Sequence, residues 1–298
     1  MEGSQRAAQN AAFLNRTPMN DSDIAFGAHA PSGLMARLLG ITRALPPHGA
    51  GKTLGFALRR LATLLLAGRP LDVEAYGAKF RLFPYNNVCE ARILFFPRQF
   101  DEEEREILAS RIRPDFHFVD VGANIGGYAL AVAALAGPSA RILAIEPEPE
   151  MFGRLVYNVR LNPFGSVKAL ELAVADKDGE MTLFIDHFNR GESSLKIITT
   201  VEGKSVRVPA RKLHTILSEE RFARVDALKL DVEGAEDLIL ETFFAEAPAS
   251  LHPGLIILQS TPERWNIDLI GLIEAQGYRR IAGTRNNIVY ALDRQRVG

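Results

Sequence analysis

One cysteine, Cys89, stands in 298 residues, so the chain forms no internal disulfide and nothing in it asks for an oxidising compartment. No stretch approaches the roughly 20 apolar residues of a membrane-spanning helix. Neither sign of charge dominates: 35 Lys and Arg against 36 Asp and Glu leave a formal net charge of -1, so no overall basic field draws the chain to nucleic acid. Histidine and cysteine cluster nowhere, which argues against zinc. The Gly-x-Gly-x-x-Gly signature of dinucleotide binding is missing, which argues against a nicotinamide oxidoreductase. The first residues hold no apolar core of a secretory signal, and the expected location is cytoplasmic. What is present is 47% apolar, 24% charged, 24 Gly and 16 Pro, the usage of a globular domain rather than of collagen, coiled coil or disordered chain.

Charge is unevenly spread. Residues 1–71 carry a net +5 and the rest -6. Residues 1–33 are small and polar with little periodicity and read as a mobile tail. Residues 34–100 form an extension: LMARLLGITRAL and LGFALRRLATLLLAG are basic and helical in pattern, divided by Pro46 and Pro47, and AKFRLFPY and RILFFP read as short strands. Packing of these helices on the main domain is the plainer expectation, with contact to a membrane surface through residues 34–68 as the alternative. Residues 101–298 form the main domain. Asp101 reads as an N-cap with Glu104 three residues on. From Phe116 apolar strands alternate with helices: HFVDVG, RILAIEP, SVKALELAVA, DALKLDVEG and LIILQS as strands, with helices between them. This is the pattern of an α/β fold with a parallel sheet covered on both faces. MTLFID and SVRVPAR read as an insertion or edge hairpin.

The strongest signal is Asp120-Val121-Gly122-Ala123-Asn124-Ile125-Gly126-Gly127, where a strand ends and a helix begins. Ligands of open α/β sheets bind in that crevice. Glu146 follows twenty residues after Gly126, at the end of the next strand, where a carboxylate accepts hydrogen bonds from two ribose hydroxyls. Asp120, Gly122, Asn124, Gly126 and Glu146 together describe a pocket for a nucleoside without pyrophosphate, and S-adenosylmethionine fits it.

FVDVGANIGGYAL, IEPEPEMFGRLVYNVRLN, LAVADKDGEMTLF and ALKLDVEGAEDLIL, taken in order, make the chain resemble the FkbM family of S-adenosylmethionine-dependent methyltransferases over about Phe80 to Tyr290. The resemblance implies a class I methyltransferase (Rossmann-like) fold of seven strands with the last antiparallel, and transfer to a hydroxyl of a sugar, glycan or secondary metabolite. It places Asp120, Gly122, Asn124 and Gly126 at the methionine end, Glu146 on the ribose, and Ala173 to Asp176 beside the adenine. Two departures, Leu213-His214 for the usual Leu-Asp and Gln259 for the usual Glu, fall where an acceptor is expected and leave a catalytically silent binding module as the rival.

The fourth strand ends in Lys229-Leu230-Asp231-Val232-Glu233-Gly234-Ala235-Glu236. Asp231 is the first candidate to accept the proton of the methylated hydroxyl, with Lys229 paired to it or to Glu233. A hard cation on Asp231 and Glu233 is the rival reading, and a Lys229–Glu236 pair locking the helix start is the structural one. His187, in a polar loop with Arg190, Ser193 and Ser194, is a candidate general base. Trp265, at an expected helix start, reads as core or as a platform for a sugar ring.

Overall fold

The computed structural model describes residues 24–185, 204–284 and 286–293. As far as residue 23, the expected tail lies outside the described residues. From Ile24 the chain is already tied down: the Asp72 carboxylate accepts the N–H groups of Gly27 and His29 at 2.8 and 3.1 Å, and Arg81 donates to the carbonyl of Ala25. A buried carboxylate needs donors, and this segment supplies two of them.

The extension begins with α1 (Gly33–Ala44) and α2 (Gly49–Leu66), divided by the proline pair as expected. Strands β1 (Leu71–Ala75) and β2 (Ala78–Leu82) form an antiparallel hairpin whose turn, Tyr76-Gly77, has positive φ at both residues, matching the twist of the strands it joins. Asp72 and Arg81 face each other across it in a 2.7 Å ion pair, 3% and 1% exposed. The RILFF run is not a strand. Its first four residues lie in α3 (Val88–Phe95), whose start is capped by Asn87 accepting the Glu90 N–H, and Phe96 ends it. So short an apolar run has no period of its own to separate helix from strand. The buried Glu90 then pairs with Arg154 at 2.9 Å, fixing that helix on the main domain.

Helix α4 (Glu102–Ala109) follows, but Asp101 does not cap it. Its carboxylate takes Arg92 at 2.9 Å and the Tyr128 hydroxyl at 3.2 Å instead. Glu104 is buried and accepts from the Thr284 hydroxyl and the Asn287 amide, so no reciprocal capping box forms.

Next come β3 (His117–Val121), α5 (Gly127–Ala136), β4 (Arg141–Ile145), α6 (Pro149–Arg160) and β5 (Val167–Leu170). SVKALELAVA is two strands rather than one. The sheet edge takes β5, and after Leu170 the chain leaves it, so that β6 (Ala173–Ala175) pairs with β8 (Lys204–Lys212) in a separate three-stranded sheet with β7 (Gly179–Ile185). This small sheet has its own apolar centre of Ala173, Leu183, Val208 and Ala210. Then follow α7 (Leu213–Glu219), β9 (Ala227–Leu230), α8 (Glu236–Glu246), β10 (Leu255–Gln259), α9 (Leu269–Ala275), β11 (Tyr278–Gly283) and β12 (Asn287–Leu292).

The main sheet has the order β11-β12-β10-β9-β3-β4-β5, parallel throughout except for β12, which runs against both neighbours. This is the seven-stranded, doubly wound class I arrangement that the resemblance implied. Period-two alternation divides each inner strand between two cores. Phe118, Ile142 and Ala144 face the core under α5, α6 and the extension, whereas Val119, Val121, Leu143 and Ile145 face the core under α7, α8 and α9. The chain turns one way from β3 to β5 and the other way from β9 to β10, so the crevice opens between β3 and β9.

Asp72→Ala leaves a guanidinium buried without its partner, and urea unfolding should show a loss of about 3–5 kcal/mol. Lys168→Ala, which removes a mostly exposed pair with Glu220, should cost under about 1 kcal/mol in the same measurement.

Candidate active site

At the switch point the turn after β3 is built from residues with positive φ: Gly122 at 76°, Asn124 at 51° and Gly126 at 92°. The N–H groups of Gly122 and Ala123 both donate to the Ile145 carbonyl at 3.0 Å, which laces this turn to β4. A Cβ on Gly122 would collide with the carbonyl oxygen of Asp231, so only glycine lets the ends of β3 and β9 come this close. Asn124 tolerates the left-handed region because its Oδ1 accepts the Ile125 N–H at 2.9 Å and the Asn87 amide at 2.7 Å.

Glu146 sits at the end of β4, 7% exposed. Its Oε2 accepts the Asn124 N–H at 2.8 Å and its Oε1 the Glu148 N–H at 2.9 Å, so each oxygen keeps lone-pair capacity toward the cavity it lines. Burial pushes its pKa up to about 7; the two amide donors pull downward, and the charges of Glu148 and Asp120 add to the rise.

Three further groups meet between β3 and β9. Asp120 is buried; its Oδ2 accepts the Ala129 N–H at 3.1 Å, while its Oδ1 accepts no hydrogen bond and lies 3.9 Å from Lys229 Nζ. Burial raises Asp120 to about 6 against the pull of Lys229. Lys229 is 4% exposed and donates to Asp231 Oδ2 at 2.8 Å, with its ammonium over the Tyr128 ring. Burial alone would lower its pKa, but Asp231 and Asp120 outweigh that and hold it above the ordinary lysine value. The Asp231 side chain, 34% exposed, looks into the cavity.

Glu233 is engaged elsewhere. Its Oε1 accepts from Gln259 Nε2 at 2.8 Å, its Oε2 pairs with Arg264 at 2.8 Å, and its own N–H donates to Gln259 Oε1. Both carboxylates of the rival cation reading therefore already hold cationic or amide donors, Lys229 on Asp231 and Arg264 on Glu233. Lys229 thus takes the Asp231 partner, and the alternative Lys229–Glu236 pair does not form. Glu236 instead accepts from the N–H groups of Val232 and Gly234 and from the Trp265 indole at 3.0 Å, closing the turn into α8.

One cavity of about 630 Å³ brings together Asp120, Gly122, Asn124, Glu146, Ala173, Lys229, Asp231 and Glu233. Gly126 starts α5 behind the wall, and Asp176 is not on the wall. His187, with Arg190, Ser193 and Ser194, lies outside the described residues. Gln259 lines the cavity, whereas His214 lies off it, 3.4 Å from the Glu246 carboxylate. Sequence reasoning missed Lys52, Arg92, Tyr128, Ser260, Thr261 and Asn286, which complete the wall from elements far apart in the chain. Five carboxylates against three cations face the cavity among the described residues, a balance suited to a cationic ligand.

Residues 120–280 match the model of the methyltransferase FkbM domain. Methyltransferase sdnD of Sordaria araneosa is 29% identical over 154 residues, 41% of this chain and 58% of that protein. The 2-O-methyltransferase NoeI of Sinorhizobium fredii is 24% identical over 153 residues, 46% and 60% of the two chains. The chain thus spans about six tenths of the length of these curated relatives. A solved structure of M. jannaschii TYW2 in complex with AdoMet overlays with a TM-score of 0.41 at 18% identity, over 74% of this chain and 84% of that one.

Gly122→Ala should destabilise the fold by more than about 2 kcal/mol, because backbone strain and a clash with a strand end add. Gly165→Ala, at φ 69° with open space around it, should cost only about 1 kcal/mol in the same thermal or urea melt.

Proposed function

The chain belongs to the FkbM methyltransferase family, and from that premise we propose that it binds S-adenosylmethionine in the cavity between β3, β4 and β9 and methylates a hydroxyl of a glycan or secondary metabolite. The observation that carries the reading is the Glu146 carboxylate, shut away from water yet left with acceptor capacity on both oxygens. Those acceptor oxygens fit the paired hydroxyls of a ribose, which would donate to them. The turn from Gly122 to Asn124 forms the floor beside it, Ala173 and Val174 supply apolar wall, and the acidic excess receives a positive sulfur and an ammonium.

When bound, S-adenosylmethionine supplies an electrophilic methyl group on a sulfonium. The chain's own part is positioning and proton handling. Lys229 fixes one oxygen of Asp231 and leaves the other to take the proton of an acceptor hydroxyl as its oxygen is methylated. Asp120 holds the start of α5 with one oxygen and keeps Lys229 charged with the other. A hydroxyl acceptor is supported by the relative named a 2-O-methyltransferase and by the polar wall of Ser260, Thr261 and Asn286 beside Asp231. The departures do not weaken the reading: Gln259 gives Glu233 a donor where a second glutamate would set two carboxylates together, and His214 is not on the cavity wall.

Calorimetry with S-adenosylmethionine and with its demethylated product tests the first step. Glu146→Ala should weaken binding by about 1–3 kcal/mol, the cost of stranding hydroxyl partners, and unchanged affinity would remove the ribose assignment. Hydroxyl donors favour the ionised carboxylate, so binding below pH about 7 must expel the Glu146 proton. Affinity should therefore fall as pH drops from 7.5 to 6, with binding heats that depend on buffer ionisation and lose that dependence in Glu146→Gln. Asp231→Asn should preserve cofactor affinity and lower turnover about a hundredfold or more, read as methyl incorporation into candidate glycans.

A further inference from the structure

Helix α2 has two apolar faces, and among the described residues only one is buried. Gly55, Ala62 and Leu66 are buried against the rest of the extension. At 100° per residue, Leu54, Ala57, Leu61, Leu64 and Leu65 fall within an arc of about 100° on another side. All five are exposed, with Leu54 at 47%, Leu61 at 46%, Leu64 at 70% and Leu65 at 43%. The exposed Arg60 borders that arc on its polar side, whereas Lys52 lies on the opposite side of the helix. Helix α1 repeats the theme with Leu34, Arg37 and Ile41, exposed at a three- and four-residue spacing along one face.

The charge around these faces is of one sign. From Ile24 to Leu71 there is no aspartate or glutamate, against Arg37, Arg43, Lys52, Arg59, Arg60 and Arg69. An exposed leucine is ordinary by itself, but a contiguous leucine face with Arg60 on its border and no carboxylate near in sequence is not. No described helix is long and apolar enough to cross a membrane. An amphipathic helix with such a face lies in the headgroup region, its leucines in the acyl boundary and its cations among anionic lipids.

We propose that the α1–α2 hairpin docks this protein on the surface of an anionic lipid bilayer. Charge complementarity selects the occupant: a leucine face alone fits many partners, whereas one bordered by Arg60, with Arg37 on the exposed face of α1 and no carboxylate from Ile24 to Leu71, fits a negatively charged apolar surface. The inference rests on the extension alone and stands whether or not the methyl-transfer reading does.

The test is flotation of the full chain with vesicles of phosphatidylcholine, or of phosphatidylcholine with about one third phosphatidylglycerol. The expected result is flotation with the anionic vesicles at least tenfold above the neutral ones, weakened by added salt. Leu61→Glu/Leu64→Glu should abolish it, and Arg37→Glu/Arg60→Glu should reduce it severalfold, with melting temperatures and S-adenosylmethionine binding unchanged because these side chains are exposed and off the cavity wall. No flotation with anionic vesicles overturns the proposal. So does flotation that the leucine variant retains. A concentration-dependent dimer in light scattering that Leu61→Glu/Leu64→Glu disperses, without vesicle binding, would assign the face to a second copy and overturn it as well.

Discussion

The site depends on one carboxylate held out of water by two backbone amides. Glu146 accepts the N–H of Asn124 from the turn after β3 and that of Glu148 from the turn after β4, so it clamps together the two loops that form the cavity floor. A desolvated carboxylate with two amide donors is under-solvated, and burial raises its pKa. Two further hydroxyl donors would remove the deficit. The same interaction that shapes these loops therefore also leaves carboxylate acceptors facing the cavity.

Beside it, the Asp120–Lys229–Asp231 cluster follows a similar logic with charge in place of hydrogen bonds. A lysine buried to this degree would ordinarily surrender its proton, but two carboxylates on adjoining strand ends keep it cationic. The close approach that makes this possible comes from Gly122, whose missing side chain lets β3 and β9 meet. The extension then closes the front: Lys52, Cys89 and Arg92 contribute wall, and Arg92 and Tyr128 share the Asp101 carboxylate. What reads as an N-terminal appendage is part of the enclosure.

Much of the frame was legible because it is local. The alternation of apolar runs with helices, the glycine turn and the acid at the end of the next strand follow from spacing along the chain. Where local patterns were ambiguous the reading went astray. RILFF had the composition of a strand and became a helix, because the Asn87 cap and the Glu90–Arg154 pair decided between two states that its own pattern leaves nearly equal. Asp101 and Glu104 had the spacing of a capping box, but stronger partners elsewhere, Arg92, Tyr128, Thr284 and Asn287, took both carboxylates. SVKALELAVA looked continuous and was split between two sheets by pairing partners distant in sequence.

By itself, then, the sequence determined the fold class, the place of the crevice and the residues Asp120, Gly122, Asn124, Glu146, Lys229 and Asp231 around it, since each is set by position at a strand end. Only the tertiary structure decided which carboxylate each cation meets. Lys229 chose Asp231 rather than Glu236, Glu233 went to Gln259 and Arg264, and Glu236 closed a turn. Spacing tells which side chains are near one another along an element. Partner choice among buried charges is settled by distances and desolvation across elements, and those exist only once the chain has packed.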